Sequence, residues 1–340
     1  MSLYDIHFCR HEELTDLQNF IDKYWRKGHV LSYSKTLFEF QYGKEGVDYY
    51  TFAIARNIET SEIDAVFGYI ESQKYDSTKT VPNIGWGAIW KVRDDVQNKE
   101  IGKLGLKLLK YIIKNSTIET FASLGISKTH KDLATALNFV VGETNHYYLA
   151  NSAISNFKVA INPVVSEFYK NCSPLRIDIS NRIEGVEISE NVNPFKNVSY
   201  FVNRYQKHPF FRYEFWKVYD GNSLIGVFAV RKIYVSNTPI YRIIDFIGDI
   251  PKEKTVYNSI QGILNDTGAE YVDCINAGLE DMFFTRQGFQ IAPRNNSTVI
   301  PEHLDPLEHV YIPLEYNYMD SDFKMIIFKG DGDQDRPNKV

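Results

Sequence analysis

The amino-acid sequence predicts an α/β protein, with mixed α+β sheets, built as two tandem domains of one design. Three observations predict it. The chain has 340 residues, more than one typical domain holds. Within each half, strand-like runs are followed by an amphipathic helix and a further strand. That order requires a mixed sheet with helices on both faces. It appears once before residue 150 and returns after about residue 196, as a repeat of order rather than of residues.

The elements follow from local patterns. Tyr4 to Arg10 reads as a short strand. Leu14, Leu17, Phe20, Ile21 and Tyr24 then recur at helical spacing, and Gly28 closes the segment. Phe38 to Gly43 is a short element. Apolar, β-branched runs at Tyr50–Arg56, Ile63–Ile70 and Ile84–Val92 read as strands. The helix that follows sets Lys103, Lys107, Lys110 and Lys114 on one solvated stripe, with Leu104, Leu108 and Ile112 on the apolar face. A strand at Thr120–Ile126, a helix at Leu133–Val141 and a strand at Tyr147–Leu149 complete the half.

Ser152 to Lys196, with Pro163, Pro174 and Pro194, reads as a connector with some strand content. Beyond it, a helix with Tyr200, Phe201 and Tyr205 precedes strands at Phe215–Tyr219, Leu224–Tyr234 and Tyr241–Ile247. A helix with Val256, Ile260, Ile263 and Leu264 ends at Gly268, where a C-cap belongs. Tyr271–Ile275 is strand, Met282–Gln287 helical and Val310–Leu314 strand. The expected units are therefore 1–155, a connector 156–195, a second domain 196–316 and a C-terminal tail 317–340.

Composition narrows the function classes. Hydrophobic residues at 44% supply real cores, and a net charge of −5 offers no broad basic surface for nucleic acid or anionic membrane. Cys9, Cys172 and Cys274 are sparse, odd in number and in no metal-ligand spacing, which predicts reduced thiols. No run reaches the roughly eighteen apolar residues of a membrane span, and no secretory signal opens the sequence. The expectation is a cytoplasmic protein with a small-molecule partner, no nucleic acid and no membrane insertion.

Two stretches carry a family resemblance. Val92-Arg-Asp-Asp-Val-Gln-Asn-Lys-Glu-Ile-Gly-Lys-Leu-Gly105 lies between a strand and a helix. It resembles the acetyl-CoA loop of the GNAT superfamily of N-acyltransferases, Arg/Gln-x-x-Gly-x-Gly/Ala. Gly102 matches the first glycine, Lys99 stands at the Arg/Gln position, Leu104 replaces the second small residue and Gly105 follows one place late. Met282-Phe-Phe-Thr-Arg-Gln-Gly-Phe289 resembles the aromatic-x-x-x-Gly-Phe signature ending that family's late helix. The resemblance implies two tandem GNAT-like domains and an acyl-CoA co-substrate, acetyl-CoA or another. It implies cofactor contacts at Val92, Gln97, Ile101, Gly102, Lys103, Leu104 and Gly105, where a helix start offers N–H groups to a diphosphate. The plainer reading is that Gly102 and Gly105 allow close helix–strand packing.

The second domain's equivalent loop, Gly248 to Val256, lacks the glycine pair and carries Pro251, Asp249 and Glu253, so no coenzyme is expected there. A looser resemblance covers the tandem order, His146–Asn151, Phe157–Ala160 and Gly330–Asn338. It implies bacterial surface-polysaccharide synthesis and a sugar or sugar-nucleotide acceptor.

The chemistry is less legible. Acyl transfer from a thioester needs proton transfer at the amine and at the leaving thiolate. The family's Tyr, four residues before the late Gly, is replaced by Asn138 before Gly142 and by Phe284 before Gly288. His146, Asp245 and Glu100 are the weak catalytic candidates, each with a structural alternative. His146 can be a satisfied strand histidine, Asp245 a paired carboxylate within Ile243–Ile247, and Glu100 a solvated loop acid. The acidic run Asp331-Gly-Asp-Gln-Asp335 resembles an EF-hand opening but has Arg336 where the loop needs Gly, so no metal site is expected. Two readings follow: an acyl-CoA-dependent N-acyltransferase acting on a small amine-bearing acceptor, or a non-catalytic tandem binding or assembly protein.

Overall fold

The computed structural model describes residues 2–166, 172–188, 190–319 and 324–340. In chain order the elements are β1 (Tyr4–Arg10), α1 (Leu14–Phe20), α2 (Lys35–Tyr42), β2 (Tyr49–Asn57), β3 (Ile63–Glu71), β4 (Ile84–Val92), α3 (Leu104–Asn115), β5 (Thr120–Leu124), α4 (Lys128–Ala136), β6 (Val140–Glu143) and β7 (Asn145–Ala150). After these come β8 (Ser173–Pro174), β9 (Arg176–Ser180), α5 (Val198–Phe201), β10 (Glu214–Asp220), β11 (Ser223–Val235), β12 (Thr238–Gly248), β13 (Lys254–Thr255), α6 (Tyr257–Thr267), β14 (Tyr271–Ala277), α7 (Asp281–Thr285), β15 (Gln290–Ile291), β16 (Glu315–Tyr318) and β17 (Ile327–Phe328).

Two sheets result. The first runs β1-β2-β3-β4-β5-β16-β6 and the second β15-β7-β14-β12-β11-β10-β9. In both, an antiparallel meander leads through one crossover helix into a parallel pair: β4 with β5 across α3, and β12 with β14 across α6. Two tandem mixed α/β domains of one design are therefore present.

The sheets do not follow the bounds expected from sequence. β7 leaves the first domain and pairs with β14 through six residues, Asn145 to Ala150. β16, which straddles the expected bound between second domain and tail, lies between β5 and β6 of the first sheet. Each half thus lends one strand to the other. The expected connector contains β9, the edge strand of the second sheet, and the expected tail contains β17, which pairs β14. Composition misleads here because these strands are short and their partners distant. Residues 167–171 and 189 of the connector, and 320–323 of the tail, lie outside the described residues.

Packing follows the predicted faces. Leu104, Leu108 and Ile112 of α3 bury against Ala53, Phe67 and Phe121. The opposite face of the first sheet carries α1 and α2, and its core runs without a break into Tyr200, Phe201, Tyr205 and Phe215 of the second domain. The two domains therefore share an interior. The outer face of the second sheet buries Ile260 and Leu264 of α6, and Gly268 ends that helix at φ 65°.

One helix differs from expectation. Apolar spacing predicted Leu133–Val141, but Ser127 caps the chain earlier and α4 ends at Ala136. Asn138 takes φ 60°, a left-handed value asparagine tolerates, and turns the chain into β6. Among the described residues no helix is long and apolar enough to cross a membrane. Cys9, Cys172 and Cys274 are free.

Burial leaves a pH signature. Desolvation holds His29 and His130 down to about 4, and His208 down to about 3. Their folded values lie below their unfolded ones, so the unfolded chain binds more protons from about pH 6.5 downward and stability is lost as pH falls through that window. Asp245, pushed up to about 6 by burial, acts in the opposite sense. Three groups against one predict a thermal midpoint that rises between about pH 4.5 and 7. Scanning calorimetry across that range checks it; a falling midpoint contradicts neutral buried histidines.

Candidate functional site

The first domain carries a fork between β4 and β5 that the chain's own described strands leave open. Their parallel pairing runs from Ile84–Thr120 to Gly87–Ser123 and stops there. A bulge at the same point breaks the register between β3 and β4, between the Phe67–Trp90 and Tyr69–Gly87 pairs. Bulges bend a strand and re-aim its edge. Beyond it, Trp90 to Val92 keep β3 on one side, and among the described residues Ala88 to Val92 have no strand on the other.

That open edge leads into the loop singled out from sequence. Asn98 Oδ1 accepts the N–H groups of Glu100 and Ile101, both at 2.9 Å. Lys103 N–H donates to Glu100 O and Leu104 N–H to Ile101 O. The N–H of Gly102 is left over. Gly102 is exposed, and a Cβ added there would meet nothing within 4 Å. Gly105 is different: a Cβ there would lie 3.1 Å from Trp90 Nε1. Of the two glycines, Gly105 serves packing and Gly102 does not. The side chains of Gln97, Lys99 and Lys103 face solvent, while Leu104 is buried in the α3 core.

Trp90 spans the fork. Its ring stacks on Phe67 at 4.3 Å and meets the His130 ring edge-on at 4.9 Å. It therefore bridges the start of α3, at Gly105, to the first turn of α4.

The second domain has the same fork in a filled state. Pairing of β12 with β14 stops at Ile243–Cys274. The gap beyond it holds the chain's own C-terminal segment: β17 pairs Asn276 and Ala277 of β14, and Gly330 N–H donates to Ile244 O at 2.9 Å. The loop before α6 satisfies its own helix start, since Gln287 Oε1 accepts Val256 N–H and Thr255 Oγ1 accepts Tyr257 N–H.

The three weak catalytic candidates do not converge. Glu100 receives Leu3 N–H at 3.0 Å and Lys107 Nζ at 2.5 Å; the Lys107 bond holds its pKa below the usual range. His146 lies in the second sheet with Nε2 2.9 Å from Asp273, whose carboxylate also takes Arg242. Burial would raise Asp273, but Arg242 and His146 together outweigh it and hold the carboxyl below the usual carboxylate range. Asp245 is buried with Lys196 Nζ at 2.7 Å and Tyr205 OH at 2.5 Å. The same lysine reaches Asp331 at 2.9 Å. The acidic run is thus spent on separate partners, since Asp335 meets Arg231 and Tyr213 while Asp333 meets Arg336.

A hollow of ≈ 260 Å³ lies beside the end of β4, lined by Lys23, Tyr24, Arg56, Glu62 and Arg93 among others. Both its arginines are already paired, Arg56 with Glu13 and Asp16, and Arg93 with Glu62, Asp64 and Asp95. Sequence reasoning missed Trp90, Ser123, His130 and Asn317, which surround the fork. Only the parallel register and the exchanged strand bring them together, and no motif spacing marks them.

No family model and no curated protein matches the sequence. Solved structures do match the fold. A GCN5-related N-acetyltransferase from Anabaena variabilis superposes at TM-score 0.52 with 8% identity, covering 93% of this chain and 72% of that one. A conserved protein of unknown function from Enterococcus faecalis, assigned provisionally as an N-acyltransferase, gives 0.53 with 6% identity over 92% and 72%. A protein from Pyrococcus horikoshii, assigned provisionally as an acetyltransferase, gives 0.50 with 13% identity over 96% and 92%. The chain has the GNAT fold in tandem.

Two stability outcomes follow. Gly105→Val should cost about 1–3 kcal/mol by overpacking against Trp90, whereas Gly102→Ala should be neutral or slightly stabilising. Urea unfolding of both variants checks the contrast. Lys196→Met should cost about 3–5 kcal/mol, because it strands two buried carboxylates without their cation. A loss below about 1 kcal/mol would show that the C-terminal segment is not held by this charge.

Proposed function

We propose that the chain is an acyl-CoA-dependent N-acyltransferase whose first domain binds the coenzyme. The observation that carries this reading is the open edge of β4 from Ala88 to Val92, running to a helix start whose leftover N–H belongs to Gly102. An extended amide-bearing arm can pair with such an edge as an added strand. The diphosphate would then meet the start of α3, with Gly102 giving close approach and Gln97, Lys99 and Lys103 at its rim. Val92, Ile101, Leu104 and Gly105 shape the loop around it.

The reaction of this reading is acyl transfer. The amine nitrogen attacks the thioester carbonyl, the C–S bond breaks, and the proton lost by nitrogen ends on the departing thiolate. The acceptor is a small amine-bearing molecule reaching the fork in the cytoplasm. A sugar or sugar nucleotide of bacterial surface-polysaccharide synthesis rests on the looser sequence resemblance alone.

A second reading has its own observation. Trp90 already bridges Gly105 and His130 across the fork, and no tyrosine stands four residues before Gly142 or Gly288. Those features favour a non-catalytic binding or assembly protein. Calorimetric titration with acetyl-CoA separates the cases when followed by a single-turnover assay on an amine panel.

The expected result is one coenzyme site per chain. Gly102→Asp should abolish it with the thermal midpoint within about 1 °C of the parent, since the residue lies in open space. Two sites per chain, or an unchanged affinity in the variant, would overturn the placement.

A further inference from the structure

The hollow of ≈ 260 Å³ beside the end of β4 plays no part in the coenzyme site. It lies on the face of the first sheet that carries α1, between that helix and the turn joining β2 to β3. At about 3.3 Å per residue, Arg93 stands about 20 Å along the chain from Gly87, so the hollow is a separate station from the apex of the fork. Its volume falls below the roughly 300–1,000 Å³ of sites for drug-sized ligands and suits one ring-sized molecule.

The chemistry of the wall narrows the occupant. A cation finds no aromatic face, because the Tyr24 ring already meets the Arg93 guanidinium at 4.5 Å and Lys23 Nζ at 4.8 Å. An anion fares no better. Arg56 is engaged by Glu13, Asp16 and the Ser61 carbonyl, and Arg93 by Glu62, Asp64 and Asp95. An apolar ligand would strip water from these ion pairs and return nothing. What is spare is hydrogen-bonding capacity of both senses. Asp16 and Glu62 each give one carboxylate oxygen to an arginine and keep the other. Asn19, Ser61 and Lys23 stand exposed on the wall, and among the described residues none of them is tied to a carboxylate.

The second half shows what this place in the fold can hold. α1 continues into a five-residue π-helical turn, Ile21–Trp25, and α5 into another, Val202–Gln206. Lys23 and Arg204 are third in their turns, Tyr24 and Tyr205 fourth. Arg204 donates to the carbonyls of Gly330 and Gly332 at 3.3 and 2.6 Å, and Gly330 packs so closely on the Tyr205 hydroxyl that a Cβ would not fit. There the turn grips neutral oxygens of the chain itself. In the first half its lysine and tyrosine border a hollow.

We propose that this hollow is a binding site for a neutral polyhydroxyl ligand, a single sugar ring, held by Asp16, Asn19, Lys23, Ser61 and Glu62. Each sugar hydroxyl both donates and accepts, which matches carboxylate oxygens set beside an ammonium, an amide and a hydroxyl. The two arginines fix Asp16 and Glu62 before the ligand arrives, which lowers the ordering cost of binding. Phe20 and Ile63 supply the apolar part of the wall for the C–H face of the ring. A ring held here is not the group that meets a thioester at the fork, and the inference stands whether or not the chain binds acyl-CoA.

Saturation-transfer NMR on the full chain tests it, with the methyl glycosides of glucose, galactose, mannose and N-acetylglucosamine as probes. At least one should bind with Kd on the order of 1 mM. Asn19→Ala and Lys23→Met replace exposed side chains, so the thermal midpoint should stay within about 1 °C of the parent. Affinity should fall about tenfold, as for a lost hydrogen bond, and that loss in either variant supports the site. Four results overturn it: no glycoside bound at about 20 mM, unchanged affinity in both variants, capture of inorganic phosphate in place of a glycoside, or displacement of the glycoside by free CoA. The last would return the hollow to the coenzyme.

Discussion

The exchange of single strands between the halves is the constraint on which the rest depends. β16 separates β5 from β6, so the first sheet has no continuous ladder without the C-terminal half. β7 sits between β14 and β15 in the same way, so the second sheet needs the N-terminal half. An open ladder leaves N–H and C=O groups unpaired, and the lent strands satisfy them. The shared core repeats the logic: Leu37, Phe38 and Tyr42 of α2 belong to one apolar cluster with Tyr200, Phe201 and Tyr205. Two domains that look separable in sequence are one cooperative body in packing.

Given that body, the two forks show what a single architecture does under different local chemistry. In the second, the chain returns through β17 and anchors itself with Gly330 on Ile244, and the residues around it are chosen to keep it there. Arg204 donates to the carbonyls of Gly330 and Gly332 at 3.3 and 2.6 Å. Lys196 sits between Asp245 and Asp331, where removing the cation would cost far more than the net worth of the pairs. A segment held by buried charge is not readily displaced by a ligand that must also lose its own hydration. Among the described residues the first fork has no such occupant; there the Trp90 side chain reaches from β4 to His130 of α4.

How much of this was readable follows from which interactions are local. The strand and helix order was legible because apolar spacing in α3 and the Gly268 stop in α6 are properties of neighbouring residues. The end of α4 was not, because Leu133 and Val141 have helical spacing while Ser127 and Asn138 decide where the helix lies. The loop from Val92 to Gly105 was found by its glycines, yet their roles divided only when Trp90 was seen against Gly105. Asp245 was flagged by its apolar surroundings, but its partners Lys196 and Tyr205 lie 49 and 40 residues before it in the chain. Ser123 and Asn317 carried no signal. A serine and an asparagine in short strands are common, and only the exchanged strand brings them side by side.

The duplication is asymmetric at its two forks. A fork needs something to satisfy the strand edge it opens, and two solutions are present in one chain. The second fork uses covalent self-supply: the occupant is always at hand, so its effective concentration is fixed by the chain and no free ligand competes easily. Among the described residues, the first fork keeps the Ala88–Val92 edge of β4 unpaired on the β5 side and leaves Gly102 exposed at the start of α3. Unpartnered buried polar atoms occur in both halves, Ser123 Oγ and Asn317 Oδ1 by the first fork and Tyr271 OH and Glu302 Oε2 in the second domain, so the asymmetry lies in which fork the chain itself fills.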